Sequence, residues 1–222
     1  METDPLLGCA ASIFPLIDTV VSIVQKARRT HRNSLALVSR ASEVHEQLQQ
    51  WQPPHFSVME SFEEQMQVVQ HSIQTAQALR YATLLHLHQA VPEIPSESSA
   101  ELARKVLLKL ASIPSSSVVT NLHIFPLLAA SVELTDPEDR EWAEQRWHAI
   151  IGRLRVKNVD TCWDIVQATW ARRDIHEAEK VPAEPRADIE MDPVCTVRGK
   201  LHWLNVMEDR NWQVTPILVF VG

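Results

Sequence analysis

Residues 122–139 read LHIFPLLAASVELTDPED, and two signals in this stretch decide the fold class. From Leu122 to Leu134 the run is apolar almost all round, and a helix without a polar side has to sit among other helices. Asp136-Pro137-Glu138-Asp139 then forms a helix start. The aspartate caps, proline takes the first position where a missing N–H costs nothing, and the acids face the positive end of the helix dipole. The helix that follows carries Trp142, Trp147, Ile150 and Ile151 and is expected to end near Gly152. A central helix followed at once by another predicts antiparallel neighbours.

Working towards the N-terminus, a serine loop at Ser115 to Ser117 precedes the central run, and Ile113-Pro114 stops a helix with Ala103, Val106, Leu107 and Leu110 on one face. Pro95 and Ser96 to Ser99 mark the loop before it. The longest helix is expected to begin near Ser61 with Phe62, Met66, Val69, Ile73 and Ala76 on one side, and to run through Leu84, Leu85 and Leu87 to Val91-Pro92. Leu37, Ala41, Val44 and Leu48 repeat at helical spacing after a cap at Asn33 or Ser34 and before Pro53-Pro54.

Towards the C-terminus, Asn158 is expected to cap a helix bearing Trp163, Val166 and Trp170, with Arg172-Arg173 near its end. Three prolines and alternating charges at about 178–197 predict a loop-like insertion. A short helix from Trp203 to Asp209 and an apolar tail, Ile217 to Val221, strand or extended, close the chain. The expected fold is all-α: stacked antiparallel helices, as a helical-hairpin bundle or an α-solenoid-like stack, in a single domain over residues 1–222.

Composition narrows the function classes. The chain has 222 residues, enough to bury roughly 70% of its unfolded surface. Its four glycines, Gly8, Gly152, Gly199 and Gly222, are scattered, which excludes G-x-G-x-x-G, the P-loop and the G-x-S-x-G elbow. Scarce glycine also disfavours hairpin-rich β folds. A formal net charge of −7 gives no bulk attraction to nucleic acid. Three distant cysteines, Cys9, Cys162 and Cys195, suit free thiols better than a disulfide framework.

The nearly uncharged stretch Pro5 to Val24 is long enough to span a bilayer. Asp18, Ser22 and Gln25, however, form a polar stripe opposite Ile13, Leu16, Ile17, Val20, Val21 and Val24, and the flanking charges Glu2 and Asp4 are acidic. The reading is a core helix, with neither a secretory leader nor a membrane partner.

Motifs that carry chemistry fail one by one. His45-Glu46 and His176-Glu177 each begin like a zincin helix, but the second ligand position holds Gln49 or Lys180. His86 and His88 lie two residues apart, on opposite sides of a helix. Asp136, Glu138 and Asp139 are explained by the helix start. No catalytic, cofactor-binding or metal-binding residue is therefore assigned. Lys26, Arg28, Arg29 and Arg32 form the basic cluster, readable as a nuclear-import or phosphate-contact patch, or as the complement of a helix dipole. Seven tryptophans at helical spacing read as core rather than as the lining of a ligand pocket.

Several local runs recur in an order with wider meaning: Pro5-Leu6-Leu7-Gly8 with Phe14-Pro15-Leu16-Ile17; Trp51 with Pro53-Pro54; and Tyr81 with Leu84-Leu85-His86-Leu87-His88. Next come Ile113-Pro114-Ser115, Phe125-Pro126-Leu127, Asp139-Arg140 before Trp142, and Asn158-Val159 ahead of Trp170-Ala171-Arg172-Arg173-Asp174. Trp203, Val206-Met207-Glu208 and Trp212 complete the set. Over roughly residues 5 to 220 it resembles the second type of fungal-specific transcription factor domain, found downstream of zinc binuclear clusters.

The resemblance implies an all-helical regulatory region of a nuclear protein, not an enzyme, acting on RNA polymerase II genes. A homodimer, a co-regulator protein or a small-molecule effector is the expected partner. The chain departs from the full regulators in one respect: a zinc cluster needs six closely spaced cysteines and only three scattered ones are present. Zinc and DNA are thus expected only through an upstream cysteine cluster. The competing expectations are a small helical enzyme or ligand-binding protein of a metabolic pathway, and a membrane-associated adaptor using Pro5 to Val24.

Overall fold

Several helices begin where a side chain satisfies free N–H groups, and the computed structural model, which describes residues 8–54, 63–155, 157–179 and 195–212, shows these starts in detail. A 3₁₀ turn, Gly8–Ile13, leads into α1 (Phe14–Arg28), with Pro15 in the first turn. Ser34 accepts from the Leu37 N–H and opens α2 (Leu35–Gln50). Of the two expected caps, Asn33 instead donates to Ala90 O at 3.1 Å and to Glu93.

The longest element is α3 (Glu63–Ala90), 28 residues. Ser98 and Glu101 form a reciprocal capping box for α4 (Ser99–Ala111). A second 3₁₀ turn, Val118–His123, precedes the short α5 (Ile124–Ser131), every residue of which is buried. Asp136 Oδ1 takes the Glu138 N–H at 2.8 Å and starts α6 (Pro137–Leu154). Then come α7 (Lys157–Glu179) and α8 (Trp203–Asp209).

The fold is all-α, and no strand occurs among the described residues. Its centre is α3, which touches α1, α2, α4, α5 and both 3₁₀ turns. That many non-sequential neighbours make a bundle rather than a solenoid, in which each unit meets only the next. On the far side α7 packs against α5, α6 and α8. Ser131 of α5 is the meeting point: its Oγ accepts from the Trp147 indole at 3.2 Å and its carbonyl from Trp170 at 2.7 Å. Trp163 lies between these rings, with centroids 6.3 Å from Trp147 and 5.5 Å from Trp170.

Among the described residues, Cys9–Arg28 is the helical stretch long and apolar enough to cross a membrane. Its apolar side, Ile17, Val20, Val24 and Ala27, is buried in the core, while Asp18, Ser22 and Gln25 are exposed.

Several local expectations require correction. Met66 is 50% exposed, in a stretch of α3 where Gln67 and Val68 are exposed as well. Asn158 lies inside α7, which starts one residue earlier. Gly152 is also inside its helix; α6 ends at Leu154, and Arg155 takes the left-handed conformation with φ 48°. Of the insertion expected at 178–197, the first two residues are helical, Cys195 to Val197 belong to the turn before α8, and 180–194 lie outside the described residues, as do Phe62 and the tail Ile217 to Val221.

Candidate functional site

The basic cluster divides at the end of α1. Lys26, Arg29 and Arg32 are exposed, but Arg28 turns inward. Its guanidinium meets Asn205 Oδ1 at 2.8 Å and Glu208 Oε2 at 2.7 Å, tying α1 to α8. Carbonyls at the end of α1 are met from the same distant segment: Arg198 Nε donates to Ala27 O and Thr30 O, both at 2.8 Å, and its Nη2 to Asn33 Oδ1. Arg198 therefore complements this helix end, a task the sequence assigned to the local cluster.

A buried polar seam runs beneath. The Glu133 side chain, 8% exposed, accepts through Oε1 from Arg173 Nη2 at 2.8 Å and from Gln89 Nε2 at 2.9 Å. Gln89 Oε1 faces His202 Nε2 at 3.1 Å, and His202 Nδ1 accepts the Leu204 N–H at 3.2 Å. A backbone N–H can only donate, so Nδ1 is the acceptor and Nε2 carries the proton that Gln89 receives. His202 thereby caps α8 in its neutral form. Burial, and then the charges of His86, Arg173 and Arg28, hold its pKa well below 6.5. Burial works against the charge of Arg173, yet its pairing with Glu133 leaves it raised.

Beside His202 the rings of His86 and Trp203 stack with centroids 5.7 Å apart, and Phe125 meets His86 edge-on. Burial, and then Arg28, push His86 down to about 4. A second seam joins α3 to α6: Arg146 Nη2 faces His123 Nδ1 at 3.3 Å, and His123 Nε2 meets Thr75 Oγ1 at 3.0 Å. Burial, with Arg146 and His71, brings His123 down to about 3. Burial pushes the Cys162 thiol up to about 12, which leaves it a poor nucleophile. These neutral imidazoles and the protonated thiol serve packing and hydrogen bonding.

Concave sites open at the surface, two of them lined by described residues. One, of about 360 Å³, lies between α4 and the start of α6, with Ala103, Leu107, Leu134 and Trp142 on its walls and Arg104 and Asp139 also lining it. The other, of about 320 Å³, lies among α2, α3 and α4 and has mainly polar walls. Among the described residues no three His, Cys, Asp or Glu side chains gather as a metal site would require.

The model of the fungal specific transcription factor domain matches residues 1–217. The chain belongs to this family. Comparison with curated proteins and with solved structures gave no match. In this member of the fungal transcription factor domain family, two of the sequence runs noted above meet in space. Arg140 forms a bidentate pair with Asp174 at 2.8 Å and lies over Trp170, 5.0 Å from its centroid. Arg172 donates to Lys200 O and to Asp209, so the Trp170–Asp174 run is a structural clamp on α6 and α8. Sequence reasoning missed Gln89, Glu133, Arg198 and His202, whose partners lie tens of residues away. The single available signal was polarity inside an apolar helical pattern, at Gln89 and Glu133.

Proposed function

We propose that this domain is the regulatory part of a nuclear regulator of RNA polymerase II genes, acting through a partner protein or a small effector rather than by turning over a substrate. The observation that carries the reading is the family match across residues 1–217. Two further facts support it. The formal net charge of −7 opposes direct binding to DNA. The three cysteines are too few for a zinc binuclear cluster and are widely separated in sequence, with Cys9 and Cys162 buried. DNA contact is then the work of a separate cysteine cluster joined to this domain, and zinc belongs to that cluster.

The test fuses residues 1–222 to an unrelated DNA-binding domain and measures a reporter gene across growth conditions. A change in either direction relative to the DNA-binding domain alone, in at least one condition, is the expected result. A reporter indifferent to the fusion in every condition would sink the reading.

A further inference from the structure

We propose that the polar cleft among α2, α3 and α4 is an effector site, and that its ligand is a small oxyanion, a polycarboxylate or a phosphate. This inference rests on the regulatory reading above and gives it a ligand class.

The cleft is built around Tyr81. Arg80 Cζ and Lys105 Nζ, from α3 and α4, lie 5.3 Å and 5.5 Å from the centroid of this one ring. Like charges brought to one place repel, and the negative face of an aromatic ring is what lowers that cost. Arg80 is also fixed in place: its Nε donates to Leu48 O at 2.5 Å and its Nη2 to Gln49 O at 2.9 Å, the carbonyls that end α2. A guanidinium held in this way loses little freedom when an anion arrives.

Against these two cations the cleft holds one carboxylate, Glu97, which is ion-paired with Lys105. Arg80 and Lys105 against Glu97 leave a formal charge of +1, in a chain whose total is −7. The walls alone thus carry the sign opposite to the chain's total, and Glu101, outside them, also acts on Lys105. The remaining walls are the polar groups His45, Gln49 and Ser96 with Leu84 and Leu102, a mainly polar lining that suits a polar molecule. The volume of about 320 Å³ equals roughly ten waters and suits a compact metabolite.

Glu97 shows how an anion would be held. It lies in the loop before α4 with its side chain 44% exposed, and its carboxylate already sits against Lys105. An incoming carboxylate or phosphate would replace it there and free the Glu97 side chain, while Ser96 on His88 and the Ser98–Glu101 capping box keep the loop in place.

Titration calorimetry on the intact chain, with citrate and separately with inorganic phosphate at matched ionic strength, tests this. One of the two is expected to bind saturably, and which one does distinguishes a carboxylate effector from a phosphate effector. Lys105→Gln should weaken that binding by about tenfold or more, the loss of one charge-assisted hydrogen bond. Lys105→Arg should restore most of it, and Glu97→Gln should tighten it by removing the competing carboxylate. Lys109→Gln, on the same helix outside the cleft, should match the wild type. The proposal is overturned if neither anion saturates up to about 10 mM, or if Lys105→Gln and Lys109→Gln weaken binding equally. If Lys105→Gln does not fold, the tightening expected of Glu97→Gln beside an unchanged Lys109→Gln still decides, and its absence overturns the proposal. A fusion that drives the reporter without anion binding would defeat this inference alone; anion binding with a silent reporter would defeat the regulatory reading alone.

Discussion

At the scale of single residues, the buried Glu133–Arg173 pair is where one atom matters most. The Glu133 side chain is 8% exposed and that of Arg173 14%, so removing one partner strands the other's charge away from water. Glu133→Ala is expected to cost about 3–5 kcal/mol, measured by urea unfolding. A loss under 1 kcal/mol would show that water reaches the site. The buried histidines set the acid side of stability. His86 and His123 are pushed down to about 4 and about 3 from an ordinary 6.5, so the unfolded chain binds more protons between those limits. Their contribution is therefore complete above pH 6.5, begins to fall below it, and is gone once pH passes the folded values. Each unit of that fall costs up to about 1.4 kcal/mol per histidine. Urea midpoints should drop from pH 7 to pH 5, and His86→Phe, which keeps a ring against Trp203, should flatten part of the slope. An unchanged slope would mean that His86 charges freely in the folded state.

At the scale of elements, the ends of α6 make opposite predictions. Asp136 caps the start through two backbone N–H groups, so Asp136→Ala should destabilise by about 1 kcal/mol. Arg155 closes the other end at φ 48°, where a side chain is strained and glycine is at ease. Arg155→Gly should stabilise the fold by no more than about 1 kcal/mol, because glycine also loosens the unfolded chain, and so raise the thermal midpoint. A lower midpoint would show that the arginine makes a compensating contact. Helix starts such as Asp136, and Ser34 as one of two candidates, were legible because a cap acts on N–H groups two or three residues away, whereas the Ser98 capping box was read only as part of a serine loop. The end of α6 was not, because Gly152 precedes a last turn that packing keeps helical.

At the scale of the whole molecule, the segment from Cys195 to Trp212 works as a strap. It reaches α1 through Arg198, Asn205 and Glu208, α3 through the hydrogen bond from Val197 N to Gln89 O, and α7 through Arg172 and Arg173. Arg198→Ala removes hydrogen bonds to two carbonyls of the α1 end and to Asn33. Hydrogen exchange should then speed in α8 and the last turn of α1 well before it speeds in α3. Equal acceleration everywhere would mean that the strap opens only with global unfolding.

The sequence alone determined the helical class, most of the elements, the buried faces and, through the ordered runs around Trp, Pro and Arg, the family. Those features rest on interactions within about one helical turn, or on periodic burial that any packing would use. Only the tertiary structure decided that α3 is the hub, that Arg28 faces inward while its neighbours stay outside, and that Gln89, Glu133, Arg173 and His202 share one seam. Nor could spacing reveal that Arg80 and Lys105 flank one tyrosine. A polar side chain finds its partner through the bundle's three-dimensional crossing of helices, and no local periodicity encodes which crossing will form.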